Sequence, residues 1–434
     1  MKATYRKIVS RIAFSRWHLS RGDGGVLRHS YRVKRISHSA PLRLCGFVPL
    51  CLCVMVLLAG CGGGGFSGGT VKGPPRGRVG RYASTSLGTV FLDPNSLGKH
   101  GYYNGWDERI GIVYTCKAGH VDIAHVRKAA DWTAYTAANI LHQLEQDETE
   151  FSFRLKEASR HFVELTYPEG WENLPEGERE RIRKDVAISL GQYFAYIGGI
   201  WHEIITWFGY RSTGIYPEFP SAFAWEDSFS DLLGTYLGAK ALRDTEHEYD
   251  EALTLAINQE LEELGPQSGR TARKASNSVR EIWFSGDFLF LMDMKARNLD
   301  IGMDDGYITP WLVPYLAECE GAEAQPYPAP NFDLLSEYGF EIKYEFEPRE
   351  RQKGKILKIV YGKKRQKRLV PSVHFPKIME YIRNDAVVNH GCYLDGGDTT
   401  SAPPHPPDDS GETIENAPSQ NDTDGADPNA TATI

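Results

Sequence analysis

The chain has 434 residues, 41% of them hydrophobic, and a net charge of −8. That length can bury a sizeable core, in one large or two modest domains. The charge is uneven: residues 1–43 hold eleven Lys/Arg and one Asp, residues 395–434 hold nine Asp/Glu and no Lys/Arg, and the body between them carries −9. An acidic body argues against nucleic acid as the main partner, because phosphate binding needs a positive field.

The basic head runs into "LCGFVPLCLCVMVLLAGC", an apolar stretch with the length of a signal-peptide core and short for a membrane span. It ends in Leu58-Ala59-Gly60-Cys61, which resembles the bacterial lipobox. The resemblance implies a signal peptide over 1–60 and a lipidated Cys61 as the first mature residue, anchored by several acyl chains. An uncleaved membrane anchor is the alternative. Gly62, rather than Asp, follows the cysteine, so the expected location is the cell envelope, at the outer membrane if the cell is Gram-negative. Of seven cysteines, Cys116, Cys319 and Cys392 remain beside Cys61, enough for one disulfide and one free thiol.

Residues 61–84 are rich in Gly and Pro and are expected to form a flexible tether. A helical core is expected over 85–330. Within it, "HVDIAHVRKAADWTAYTAANILHQLEQ" has helical periodicity from about 122 to 146, whereas "FRLKEASRHFVEL" fits strand or helix. "PEGERERIRKDVAISLGQYFAYIGGIWHEIITWFG" opens with Pro and acidic residues and stops at Gly209, as helices do. Gly198-Gly199 inside it mark close packing against another backbone. Further helices are expected from about Trp225 to Arg243, and over "EYDEALTLAINQELEELG", closed by Gly265. A β-containing part is expected over 331–394, where "GFEIKYEFEP", "KILKIVYG" and "RLVPSVHF" suggest a small antiparallel sheet. Residues 395–434 read as a disordered acidic tail. The fold class is therefore α+β, a mainly α-helical core with a small antiparallel β element.

Chemistry-bearing residues gather on the helices. "YIGGIWHEIITWFGY" places His202-Glu203 on an apolar helix, but Thr206 stands where a zinc hydrolase has its second histidine. The following helix reads "WEDSFSDLLG". Together they resemble the helix pair of gluzincin metallopeptidases. That resemblance implies a zincin-like pair in which Asp227, or Glu226, fills the third-ligand slot, with Asp231 behind the ligands and Glu203 as general base. Two protein ligands are too few for a catalytic zinc. The missing one is sought on the helix after residue 122, where Asp122 and His125 share a face and His120 could join them through a bend. The expected site is thus His125, His202 and Asp227 or Glu226 on zinc. Glu203 is the base, and Asp122, Asp231, His120 and Arg127 stand around it. The plainer reading is a satisfied polar network, with Asp227 and Asp231 paired to Arg127 or Lys240.

Cys116, four residues before His120, suggests a thiol nucleophile or half of a disulfide. "GKKRQKR" is a basic turn over 363–368, either solvated or facing anionic lipid or another envelope polyanion. Trp201, Trp207 and Trp225 are expected in the core, or as a stacking wall for sugar rings. Four segments carry a resemblance to a bacterial family of envelope lipoproteins known as domain of unknown function 4056: "YTCKAGHVDIAHVRKAADWTAY", "GGIWHEIITWFGY", "FPSAFAWEDSFSDLLGTYLG" and "LDIGMDDGYITPWLVPYL". The resemblance spans roughly residues 85–390 and implies no activity. The expectation is an envelope lipoprotein with a metal-dependent, hydrolase-like site for a peptide or glycan. The competing expectation is a non-catalytic scaffold or binding protein.

Overall fold

The structure, a computed structural model, describes residues 71, 73–85, 88–155, 158–212, 216–286 and 292–394. The signal peptide, Cys61, the first part of the tether and the acidic tail lie outside the described residues. The described chain is α+β and mainly helical.

A hairpin opens the fold. Strand β1 (Ile112–Thr115) pairs antiparallel with β2 (Gly119–Asp122). Asp122 ends β2 and caps α1 (Ile123–Leu144), its side chain accepting from the Ala124 amide at 2.7 Å. The ambiguous segment that follows is a second hairpin, β3 (Glu150–Phe153) and β4 (Arg160–Thr166). In β4, His161, Val163 and Leu165 face inward and their neighbours outward, the alternation of a sheet with one buried face.

Helix α2 (Glu176–Trp207) begins exposed and acidic and ends largely buried; Gly209, at φ 94°, stops it. Helices α3 (Asp227–Arg243) and α4 (Tyr249–Glu263) follow, then the shorter α5 (Gly269–Ser278). Helix α1 lies between α2 and α3 and packs on both. Small residues make this possible. A Cβ on Gly191 of α2 would sit 2.8 Å from the Thr133 carbonyl and the Ala137 amide of α1. One on Gly238 of α3 would sit 2.7 Å from Ala130. The helix backbones nearly touch on both sides of α1.

Gly198 and Gly199 also pack closely, but against side chains, those of Leu155 and Asp231, and not against a backbone as the sequence suggested.

Beyond residue 330 come α6 (Asp333–Glu337), β5 (Glu341–Glu347), α7 (Lys353–Tyr361) and α8 (Pro371–His390). Strand β5 pairs antiparallel with β4 along its length, giving a sheet of order β5-β4-β3. The β element thus grows on the hairpin of the helical part. "KILKIVYG" is helical, contrary to the strand expected: Ile356 and Val360, four apart, are its buried positions. "RLVPSVHF" contributes one bridge, Leu369 to Phe346, before Pro371 starts α8.

The expected tether is also corrected. Residues 76–84 lie on the fold. Arg78 is buried against Glu108 and Asp131, and Ala83 and Ser84 are fully buried. Cationic residues in a Gly/Pro-rich stretch found carboxylate partners, which composition alone does not show. Cys116 is bonded to Cys319, and Cys392 is a buried free thiol. The disulfide removes the nucleophile reading of Cys116. Among the described residues no helix is long and apolar enough to cross a membrane.

Candidate functional site

Three helical stripes meet near the middle of the bundle. Helix α1 contributes His125, Lys128 and Trp132, spaced three and four apart. Helix α2 contributes Ala195, Gly199 and His202, and α3 contributes Asp227 and Asp231. Lys128, Trp132, Leu155, Gly199, His202 and Asp231 line a narrow recess of about 30 Å³, room for a water or two.

The ionisable groups are paired across the helices. His125 Nδ1 lies 2.9 Å from Asp227 Oδ1 and 3.5 Å from Asp122 Oδ2. Lys128 Nζ lies 3.2 Å from Asp231 Oδ1, and His202 Nε2 lies 3.4 Å from Glu218 Oε2. Gly199 leaves room for Asp231: a Cβ there would stand 2.9 Å from its Oδ2.

Burial, and then the charge of Asp231, push Asp227 up to about 7. Burial and then Asp227 push Glu203 up to about 7. Burial opposes the charge on Lys128, but Asp231, Glu203 and Asp227 outweigh it and raise its pKa. Asp231 is held low against its own burial, by Lys128 above all. His125 is lowered by burial and by Lys128. One buried cation thus sits among several carboxylates, two of which exchange protons near neutral pH.

One side of the cluster is closed by residues 80–83, ahead of the first hairpin. The Arg81 amide donates to Asp122 at 2.6 Å, and the Ala83 amide donates to Glu226 at 2.8 Å. Gly80 lies over His125, where a Cβ would come within 2.8 Å of Nε2.

Several residues singled out from the sequence lie elsewhere or do other work. Glu203, one position from His202, faces a different side of α2, since adjacent helical residues diverge. Its Oε2 accepts from the Phe223 amide at 2.7 Å. Phe223 is buried and left-handed, at φ 53°, a conformation rare for an aromatic residue. Glu203 thus fixes a strained turn and does not line the recess. His120 sits on β2, with Nε2 3.1 Å from the Ala272 carbonyl, among Phe91, Tyr114 and Trp225. Burial pushes it down to about 4.

Arg127 points away from the site. It donates to the Leu97 and Gly98 carbonyls and pairs with Glu108 at 3.1 Å. There it joins a second buried network with Arg78, Asp131 and His100. That network ties the early segment to α1 and was not read from the sequence. Lys240 donates to Gln259 at 3.1 Å, so it does not serve Asp227 or Asp231 either. Trp201, Trp207 and Trp225 are buried in the core; the aromatic wall of the recess is Trp132.

A zinc ion on His125, His202 and Asp227 or Glu226 needs these donors aimed at one point. His125 and Asp227 face each other at 2.9 Å, but His202 is aimed at Glu218 and Glu226 at the Ala83 amide. Among the described residues no group of three His, Cys, Asp or Glu side chains is arranged to hold a metal ion. The donor set in this arrangement does not fit zinc.

Lys128, Trp132 and Glu218 were not singled out from the sequence. The first two had a signal, since they continue the His125 stripe at helical spacing. Glu218 had none, because it comes from an irregular segment.

Residues 86–288, somewhat under half of the chain, match the model of a family described as "Protein of unknown function (DUF4056)". The match covers the hairpin, α1 to α5 and every residue of the cluster except those of the 80–83 segment. No curated protein and no solved structure matches the chain.

Proposed function

We propose that this chain is a lipid-anchored protein of the bacterial envelope. Its three-helix core would carry a hydrolase-like acid–base recess for a peptide or glycan. The observation that supports this most is the composition of the recess. His202 and Lys128 face a narrow, partly apolar space, backed by Asp227 and Glu203, both near pKa 7. Perturbed ionisable groups beside a cleft are typical of reacting sites.

In this reading His202, steadied by Glu218, takes a proton from a water in the recess. Lys128, held by Asp231, stabilises the charge that develops on the attacked oxygen. Trp132 packs on an apolar side chain or a sugar face. No step is routed through a metal. Incubating the purified protein with envelope glycopeptides and weighing the products tests the proposal. Two products are expected whose masses sum to that of the substrate plus one water. His202→Ala should slow their formation by roughly 10²-fold with melting nearly unchanged, and Lys128→Ala should slow it as much while also lowering the melt, because Asp231 is left buried and unpaired. No product from the native chain, or equal rates in the variants, would overturn it.

A second reading has its own support. Asp122, Glu203 and Glu226 each accept a backbone amide from a distant segment. In this reading the polar cluster only fixes helix packing in an envelope scaffold. Silent His202 and Lys128 variants, with Glu203→Ala and Glu226→Ala strongly destabilised, would favour it.

The anchoring proposal rests on the sequence around Cys61. It is tested by labelling cells with a palmitate analogue, and Cys61→Ser should abolish the label. The basic turn at 363–368 would then meet anionic head groups or another envelope polyanion.

A further inference from the structure

The basic turn belongs to a larger surface. Residues 351–368 contain nine Lys/Arg and no Asp/Glu, in a chain of net charge −8. The segment folds as α7 and the turn after it. Ile356 and Val360 are turned inward, whereas Arg351, Lys355 and Lys358 and all the cations of the turn are exposed. Arg368 pairs with Glu345, and no other cation of the run pairs with a carboxylate among the described residues. So much charge of one sign costs self-repulsion unless an anion lies over it.

The chain carries its own candidate. Residues 395–434 hold nine Asp/Glu and no Lys/Arg, the same number of charges with the opposite sign. This segment follows Leu394, the last described residue, just past α8. Helix α8 starts two residues after the turn and carries the chain about 30 Å away from it, at 1.5 Å per residue. Extended chain covers about 3.3 Å per residue, so roughly nine residues bring it back. The pairs Asp408-Asp409 and Glu412, Glu415 come after that distance. Attachment to the same fold also gives the tail a local concentration on the order of millimolar.

We propose that the acidic C-terminal segment docks on the basic face of α7 and its turn, covering it against external polyanions until a denser anionic surface displaces it. The contact is electrostatic and weakens as salt shortens the screening length. It depends on neither the acid–base recess nor lipidation, so its failure would leave the proposed function standing.

Carbodiimide cross-linking of the purified full chain tests this directly. Intrachain links are expected between Lys363, Lys364 or Lys367 and acidic residues of 408–415, and they should fade at high salt. Absence of such links in the monomer at low salt overturns the proposal. A second measurement compares binding to phosphatidylglycerol vesicles by the chain with its tail and by a chain ending at Leu394. Both lack residues 1–61, so that neither the basic head nor an anchor contributes. Loss of the tail should tighten binding on the order of tenfold at low salt, as expected for a tethered competitor. Equal affinity, or no binding by either form, contradicts it.

Discussion

Glu203 shows how one residue can look catalytic and be structural. Its place after His202 suggested a general base, yet its oxygen holds the Phe223 amide at 2.7 Å. Its pKa rises on folding from the ordinary 4.5 to about 7. Between those values the folded chain therefore binds more protons than the unfolded one. Stability from this group is full below about pH 4.5 and is lost as pH rises through 7. Glu203→Gln cannot ionise but keeps an acceptor oxygen. It should melt close to the native chain at pH 5 and above it at pH 8, by about 3 kcal/mol at most at 1.36 kcal/mol per unit. Glu203→Ala should lose about 1–3 kcal/mol at every pH, because the Phe223 amide is left unsatisfied. Thermal melts across that range check both.

At this scale the sequence was half legible. His125, Asp227, Asp231 and His202 do come together, because their helical spacing put them on facing stripes. Glu218 and the Phe223 turn were not legible, since irregular segments carry no periodicity. His120 and Arg127 were misplaced, because nearness in sequence does not fix which side of an element a residue faces.

Among the elements, α1 is the organiser. Its two neighbours approach so closely that small residues are obligatory at the crossings. Gly191→Ala should destabilise by about 1–3 kcal/mol, since the helices must separate to admit a Cβ. The same change at Gly177, where nothing lies within 4 Å of the added atom, should be neutral or slightly stabilising. Denaturant melts of the pair separate packing from helix propensity. Long amphipathic helices were legible because many residues vote for one period. "KILKIVYG" was not: in eight residues, alternation and the three-to-four spacing both fit, and packing on α8 decided for helix.

For the molecule as a whole, long-range closure matters most. Strand β5 completes the sheet begun by β3 and β4, and Cys116 is joined to Cys319 across 203 residues. No local pattern could announce either pairing. Cys116→Ser or Cys319→Ser should cost about 2–5 kcal/mol, as expected for opening a long loop in the unfolded chain. Melts with and without reductant should then converge on the variants.

The reading of the recess draws its support from the buried cluster behind it, in which Asp227 and Glu203 change protonation near neutral pH. Carboxyl-carbon NMR of the full chain between pH 4 and 9, assigned with Glu203→Gln and Asp227→Asn, measures this directly. Midpoints near 7 for both groups are expected. Midpoints at ordinary carboxylate values for both would contradict the reading and leave a static ion-pair network in its place.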